Sequence, residues 1–164
     1  MAPIEWYSQN AAKYLGAPVS SAPMPDSRIS LSEDLEATNE VVATGLKAFN
    51  RTYLGEYSSE PIAIEVRDDE GVIVGGAVGA IQLGWLFIDM IWLPESHRSQ
   101  GIGSKVLAAI EQEAVQRGAD RAILDTMGYQ AEGFYARYGY VECGRVANFA
   151  SGHDRIYMIK TLVK

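Results

Sequence analysis

RSQGIGS, residues 98–104, joins two segments of opposite character. Before it, WLFIDMIWL (residues 85–93) is apolar, β-branched or aromatic at nearly every position. That pattern predicts a strand buried on both faces, stopped by Pro94, whose ring removes a backbone donor. After it, Val106, Leu107, Ile110 and Ala114 recur at helical spacing, with Lys105, Glu111, Gln112, Glu113 and Gln116 on the other side. Arg117 and Gly118 supply a cationic last turn and a left-handed stop.

Gly101 and Gly103 thus stand where a strand gives way to a helix. Without a Cβ they let a ligand approach the main chain, and the unpaired N–H groups and positive dipole end of the helix favour an anion there. Arg98 adds a permanent charge and a planar fork suited to phosphate. Two other phosphate motifs do not fit. A P-loop needs a glycine immediately before its lysine, where Ser104 stands, and the dinucleotide fingerprint needs a third glycine, where Val106 stands. A nucleotide-binding protein is therefore disfavoured.

The R-x-x-G-x-G spacing after a buried strand resembles the coenzyme A loop of the GNAT superfamily of acyl-CoA N-acyltransferases. ADRAILDT (119–126) resembles that family's fifth strand, and AEGFYARYGY (131–140) its A-x-x-F-Y-x-x-x-G-Y helix. The likeness covers residues 28–164, leaving 1–27 as an N-terminal extension. It implies an α/β fold (α+β in some schemes). A mixed, mostly antiparallel sheet of about seven strands would splay between strands 4 and 5 and carry helices on both faces.

The resemblance further implies acetyl-CoA as cosubstrate and no metal. The backbone of Ile91, Trp92 and Leu93 would pair with the pantetheine arm. The pyrophosphate would lie over Arg98, Ser99, Gln100, Gly101, Ile102, Gly103 and Ser104. Phe134 and Gly128 would adjoin the cosubstrate. Relatives carry a coenzyme A-contacting asparagine at the position of Gly128, and Thr126, Tyr129 or a backbone group could substitute for it.

Composition is consistent with this. With 164 residues, 48% hydrophobic and 21% charged, the chain can bury one core without a second domain. Its one cysteine, Cys143, excludes an internal disulfide and reads as a small buried apolar residue; only His97 and His153 could join a zinc site. This chemistry suits a reducing cytoplasm. No stretch reads as a signal peptide or membrane span. A net charge of −7 argues against nucleic acid and would favour a cationic amine.

Residues 1–27 hold Pro3, Pro18, Pro23 and Pro25 and read as an extended arm with a short helix around Glu5 to Leu15. Its Trp6, Tyr7 and Tyr14 could dock on the body or on a second subunit, so a homodimer is allowed. Arg28 to Leu31 reads as a first strand. Ser30 and Glu33 have capping-box spacing into a helix bearing Leu35, Val42, Leu46 and Phe49. Residues 62–67 and 72–81 flank Asp68-Asp69-Glu70-Gly71 as a hairpin.

Tyr135 occupies the family's tyrosine position. Thioester aminolysis expels a thiolate, and a phenol, with a pKa of about 10, can hydrogen-bond or protonate it. Phe134, Tyr138 and Tyr140 read as core. The proton of the ammonium needs a base, and Asp89 is the one charge in WLFIDMIWL. Strict alternation would place it on the face of Phe87 and Ile91. Relatives often carry a glutamate base slightly earlier, where this chain has Phe87, so Asp89 reads equally as a structural partner. Asp125 could bind the amine or serve a turn, and His153 in SGHDR, a turn between the last two strands, could relay a proton. The implied reaction is acetyl transfer from acetyl-CoA to a primary amine of a small molecule or peptide, by direct attack in a ternary complex. The alternative is a noncatalytic acyl-CoA-binding or sensory module.

Overall fold

A computed structural model describes residues 29–163 of the chain, and the expected N-terminal arm lies outside them. The chain divides into two compact units, Met1–Leu46 and Lys47–Lys164. In the first, helix α1 (Leu35–Leu54, continuing into the second unit) starts one residue after Asp34. The Oδ1 of Asp34 accepts the Ala37 N–H at 2.9 Å. The cap is therefore Asp34, not the Ser30–Glu33 box. Ile29–Leu31, the described part of the expected first strand, has no strand pairing.

The second unit contains β1 (Glu60–Arg67), β2 (Ile73–Gln82), β3 (Trp85–Trp92), a 3-10 turn at Glu95–His97 and α2 (Ile102–Gln116). It continues with β4 (Arg121–Met127), α3 (Glu132–Arg137), β5 (Val141–Ala150) and β6 (His153–Thr161). The six strands form one mixed sheet in the order β1-β2-β3-β4-β6-β5, one fewer than the seven expected. Only β3 and β4 run parallel. The β1–β2 turn closes as its residues dictate. The Oδ1 of Asp68 accepts the N–H groups of Glu70 and Val72, and Gly71 supplies the left-handed position at φ 81°.

Val106, Leu107, Ile110 and Ala114 are the buried residues of α2, as their spacing predicts. They meet Leu86 and Ile88 of β3, Ala122 and Leu124 of β4, and Ile156 and Met158 of β6 in one core, which also takes in Tyr135 and Tyr140. Each fully buried Leu or Ile there contributes about 1.5–3 kcal/mol. The helix ends as its last residues require: the Ala119 N–H reaches back to Ala114 O at 2.9 Å, with Gly118 at φ 90°.

Strand β3 departs from expectation in two ways. Its burial alternates, with Leu86 and Ile88 inside and Phe87, Asp89, Met90 and Trp92 exposed, so only one face is covered. An uninterrupted apolar run signals a buried segment by composition alone, and the aromatic and Met side chains here lie on the sheet's other face. The alternation also breaks. Gly79 pairs with Ile88 but Val78 pairs with Met90, so Asp89 is the extra residue of a β-bulge. Ile91 thereby shares the inner face with Ala77, its cross-strand partner, and no longer the face of Phe87. Gly79 allows this approach, since a Cβ there would stand 2.1 Å from the Phe87 carbonyl oxygen.

Candidate active site

Strands β3 and β4 are paired only from Trp85–Arg121 to Ile88–Leu124, although β3 runs on to Trp92 and β4 to Met127. Beyond Ile88 the two parallel strands part. The bulge at Asp89 marks the point of divergence, because an inserted residue bends and twists its strand. A cleft of about 770 Å³ opens there. It brings together Asp89, Ile91, Trp92, Leu93, Arg98 and Tyr135 from the sequence reading.

At one end of the cleft lies the loop before α2. Gly101 is its N-cap residue in the left-handed region, at φ 77°, and provides no side-chain cap. The first intrahelical bond runs from Lys105 N–H to Gly101 O at 3.3 Å. The amides of Ile102, Gly103 and Ser104 therefore precede any helical acceptor. Ser99 is also left-handed, at φ 59°, and Gln100 Nε2 donates to Ser96 O at 2.7 Å. Ser104 Oγ donates to Gly101 O at 2.7 Å. Arg98 Nε donates to Leu93 O at 2.9 Å, tying the end of β3 to the loop and leaving both terminal guanidinium nitrogens. A Cβ on Gly103 would make ordinary contact, 3.7 Å, with Leu93 and the Phe134 ring. Free amides, an arginine and glycine backbone fit a pyrophosphate group.

Across the cleft, α3 presents Tyr135, 8% exposed. Its ring packs edge-on against Phe134 and Tyr140, with centroids 5.2 and 5.7 Å away. Burial pushes its phenol above the ordinary value, so it is neutral across the physiological range. Tyr140 is more deeply buried and is raised further, by burial first and then by the Glu111 carboxylate. Tyr140 is core, as expected, whereas Phe134 is half-buried and Tyr138 exposed.

Asp89 is exposed to the cleft and has no ion pair or hydrogen-bond partner among the described residues. The run around it is expected to be buried on both faces, and Asp89 is not. Asp125, in contrast, is held in a bidentate pair by Arg155, at 2.7 and 2.9 Å, so it serves the β4–β6 contact. Gly128 is outside the cleft lining, and its N–H donates to Asp154 O at 2.8 Å. Trp92, in the run expected to be buried on both faces, is 59% exposed. Cys143 is exposed instead of buried, and its thiol donates to Tyr157 O.

Two features were not legible. Gln130 Oε1 accepts the Met127 N–H at 2.9 Å and a contact from the Thr126 hydroxyl at 3.3 Å, closing the turn that carries Tyr129 into the cleft. Arg145 joins Glu132 at 2.8 Å, Glu142 at 2.5 Å and Asp154 at 3.0 Å, tying α3 to both strands of the last hairpin. Neither has a local pattern that could announce it.

Among the described residues no cluster of His, Cys, Asp or Glu could hold a metal ion, and no helix is long and apolar enough to cross a membrane.

A parallel strand pair that diverges beside a glycine loop and a buried phenol thus forms one cleft. The acetyltransferase (GNAT) family model matches residues 30–140, and the chain belongs to that family of acyltransferases. It is 35% identical to the acetyltransferase Atu2258 of Agrobacterium fabrum over 77% of this chain and 92% of that one. It is 30% identical to the blasticidin-S acetyltransferase of Streptomyces morookaense over 78% of this chain and 96% of that one. The crystal structure of an acetyltransferase from Bacillus cereus superposes with a TM-score of 0.74 at 29% identity, covering 81% of this chain and 97% of that one.

Proposed function

We propose that the chain, over residues 28–164, is an N-acetyltransferase that moves the acetyl group of acetyl-CoA to a primary amine of a small molecule or peptide. The observation that carries this reading is the cleft itself, which has Arg98, the first residue of the glycine loop, at one end and the neutral Tyr135 phenol in its wall. In this reading Arg98, Gly101, Gly103 and Ser104 hold the pyrophosphate. The backbone of Ile91 to Leu93, unpaired on its β4 side, aligns the pantetheine arm.

The free amine must be neutral to attack, and an alkyl ammonium has a pKa of about 10. Asp89 takes that proton, directly or through water, at the mouth of the cleft. The nitrogen then bonds to the thioester carbon, and backbone N–H groups near Leu93 stabilise the charge that develops on oxygen. The carbon–sulfur bond breaks, and the sulfur takes the Tyr135 proton. The proton released from nitrogen as the amide forms restores the phenol. One acetyl group has moved, and one proton has left through Asp89.

The test is steady-state thiol release from acetyl-CoA across a panel of amines, beside calorimetry of coenzyme A binding. Amine-dependent release supports the reading. Tight binding of acetyl-CoA with no release for any amine would return the chain to the role of a binding module.

A further inference from the structure

The cleft has two carboxylates in its lining, Asp89 and Asp125, and they differ in what holds them. Asp125 is fully engaged. Arg155 grips both its oxygens, and the same guanidinium lies over the rings of Phe149 and Tyr157, 5.1 and 5.7 Å from their centroids. A carboxylate flanked by aromatic faces would otherwise hold a cationic group of a substrate. Here the chain's own arginine fills that place. Displacing it would break two charge-assisted bonds and its ring stacking. Asp89 thus remains the lining carboxylate with no cation beside it among the described residues. The acidic excess around Arg145 belongs to Glu132, Glu142 and Asp154, which do not line the cleft.

Where a second anionic subsite would be needed for a diamine or polyamine, the cleft offers rings. Tyr129 lines it with 62% of its surface exposed, and His153 from the tip of the last hairpin meets the Tyr129 ring in a T-shaped contact at 4.7 Å. Trp92, on the facing strand, is similarly open. A ring held by such a contact keeps its orientation, and the exposed part of Tyr129 stays available for stacking.

Resting on the acetyl-transfer reading above, we infer that the acceptor is a monoamine carrying an aromatic or heteroaromatic ring. The ring packs on Tyr129 and the ammonium meets Asp89. Tyr129 is then a specificity-determining residue, and Arg155 excludes a second cationic group from Asp125.

The experiment measures thiol release by the full chain at saturating acetyl-CoA with three probes: 2-phenylethylamine, butylamine and putrescine. The expected kcat/KM for 2-phenylethylamine exceeds that for butylamine by about tenfold, the scale of one aromatic contact, and the difference lies in KM. Putrescine gains nothing over butylamine. Tyr129→Leu brings the ratio of the two monoamines close to one, whereas Tyr129→Phe keeps it, which separates ring stacking from the hydroxyl and from folding. Equal or better turnover of butylamine or putrescine by the unaltered chain overturns the inference while leaving acetyl transfer standing. So does a ratio that Tyr129→Leu does not change. Absence of thiol release with all three probes and with the wider amine panel, while coenzyme A still binds, overturns the acetyl-transfer reading and the inference together.

Discussion

The two ends of the cleft are built by different means. In the proposed reading, the donor end is main chain. It consists of a left-handed Gly101, helical amides without acceptors, and a β3 edge released from β4 by a bulge. The proposed acceptor end is a side-chain pair, Asp125 of the lining with Arg155 thirty residues on, and outside the lining a second network of Arg145 with Glu132, Glu142 and Asp154 ties α3 to the last hairpin. The first kind of site recognises a constant ligand, because backbone amides look alike in every chain and need only the right curvature. The second can be rebuilt by changing a few side chains while the sheet stays as it is.

The largest effect should come where the two ends meet. Tyr135→Phe is expected to lower kcat by two to four orders of magnitude, on the scale of a lost general acid, with coenzyme A affinity retained by calorimetry. The pH profile adds a sign. Burial raises the Tyr135 pKa, so the acid stays protonated as pH rises and any alkaline loss of kcat belonging to it falls above the ordinary phenol value of about 10. A decline centred well below that, or unchanged turnover in the Phe variant, would remove Tyr135 from the chemistry.

Next come two glycines of the donor end, which separate fold from ligand. A Cβ at Gly79 would lie 2.1 Å from the Phe87 carbonyl oxygen, a backbone atom that cannot turn aside. Gly79→Ala should cost about 3 kcal/mol or more, read from urea unfolding, because the bulge must shift. A Cβ at Gly103 meets its nearest neighbours at 3.7 Å, which is ordinary contact. Gly103→Ala should leave stability unchanged or raise it by up to about 1 kcal/mol, since alanine favours the helix. It should nevertheless weaken coenzyme A binding by about tenfold through crowding of the approach to the amides. Equal affinity in the variant would move the pyrophosphate away from Gly103.

The same contrast explains what could be read from sequence. The donor loop was legible because a strand, two glycines and an amphipathic helix are local and periodic, and Val106, Leu107, Ile110 and Ala114 are buried where spacing puts them. The bulge was not legible. Nothing in WLFIDMIWL distinguishes a regular strand from one carrying an extra residue, since that depends on Gly79 across the sheet, and one slipped residue moved Ile91 to the other face. Asp89 stands out by its isolation among apolar neighbours; it lines the cleft and is exposed there, although the run around it reads as buried on both faces. The pairs Asp125–Arg155 and Arg145–Asp154 were hidden because their partners come from different strands. The turn of Tyr129 is set by Gln130 and Thr126, which carry no turn signal of their own.

The smallest expected effect tests whether the side-chain network outside the cleft lining, which ties α3 to the last hairpin, depends on charge. Hydrogen bonds from Arg145 hold the carboxyl of Glu142 below its ordinary value, and they do the same for Asp154 with help from the Asn148 N–H. A carboxylate whose folded pKa is depressed adds stability above its unfolded pKa, about 4, and that stability is lost as pH falls through the depressed value. Arg145→Met removes the cause of most of the depression. Its melting temperature should therefore fall below that of the parent at pH 7, and the two should converge as pH drops from about 4 toward 2. Because the groups are exposed, added salt should narrow the gap at pH 7 as well. A gap that is constant with pH and salt would mean that Arg145 holds α3 to the last hairpin by packing its stem. The network that ties α3 to the last hairpin would then be held by shape rather than by paired charge, and the contrast with the main-chain donor end would lose that support.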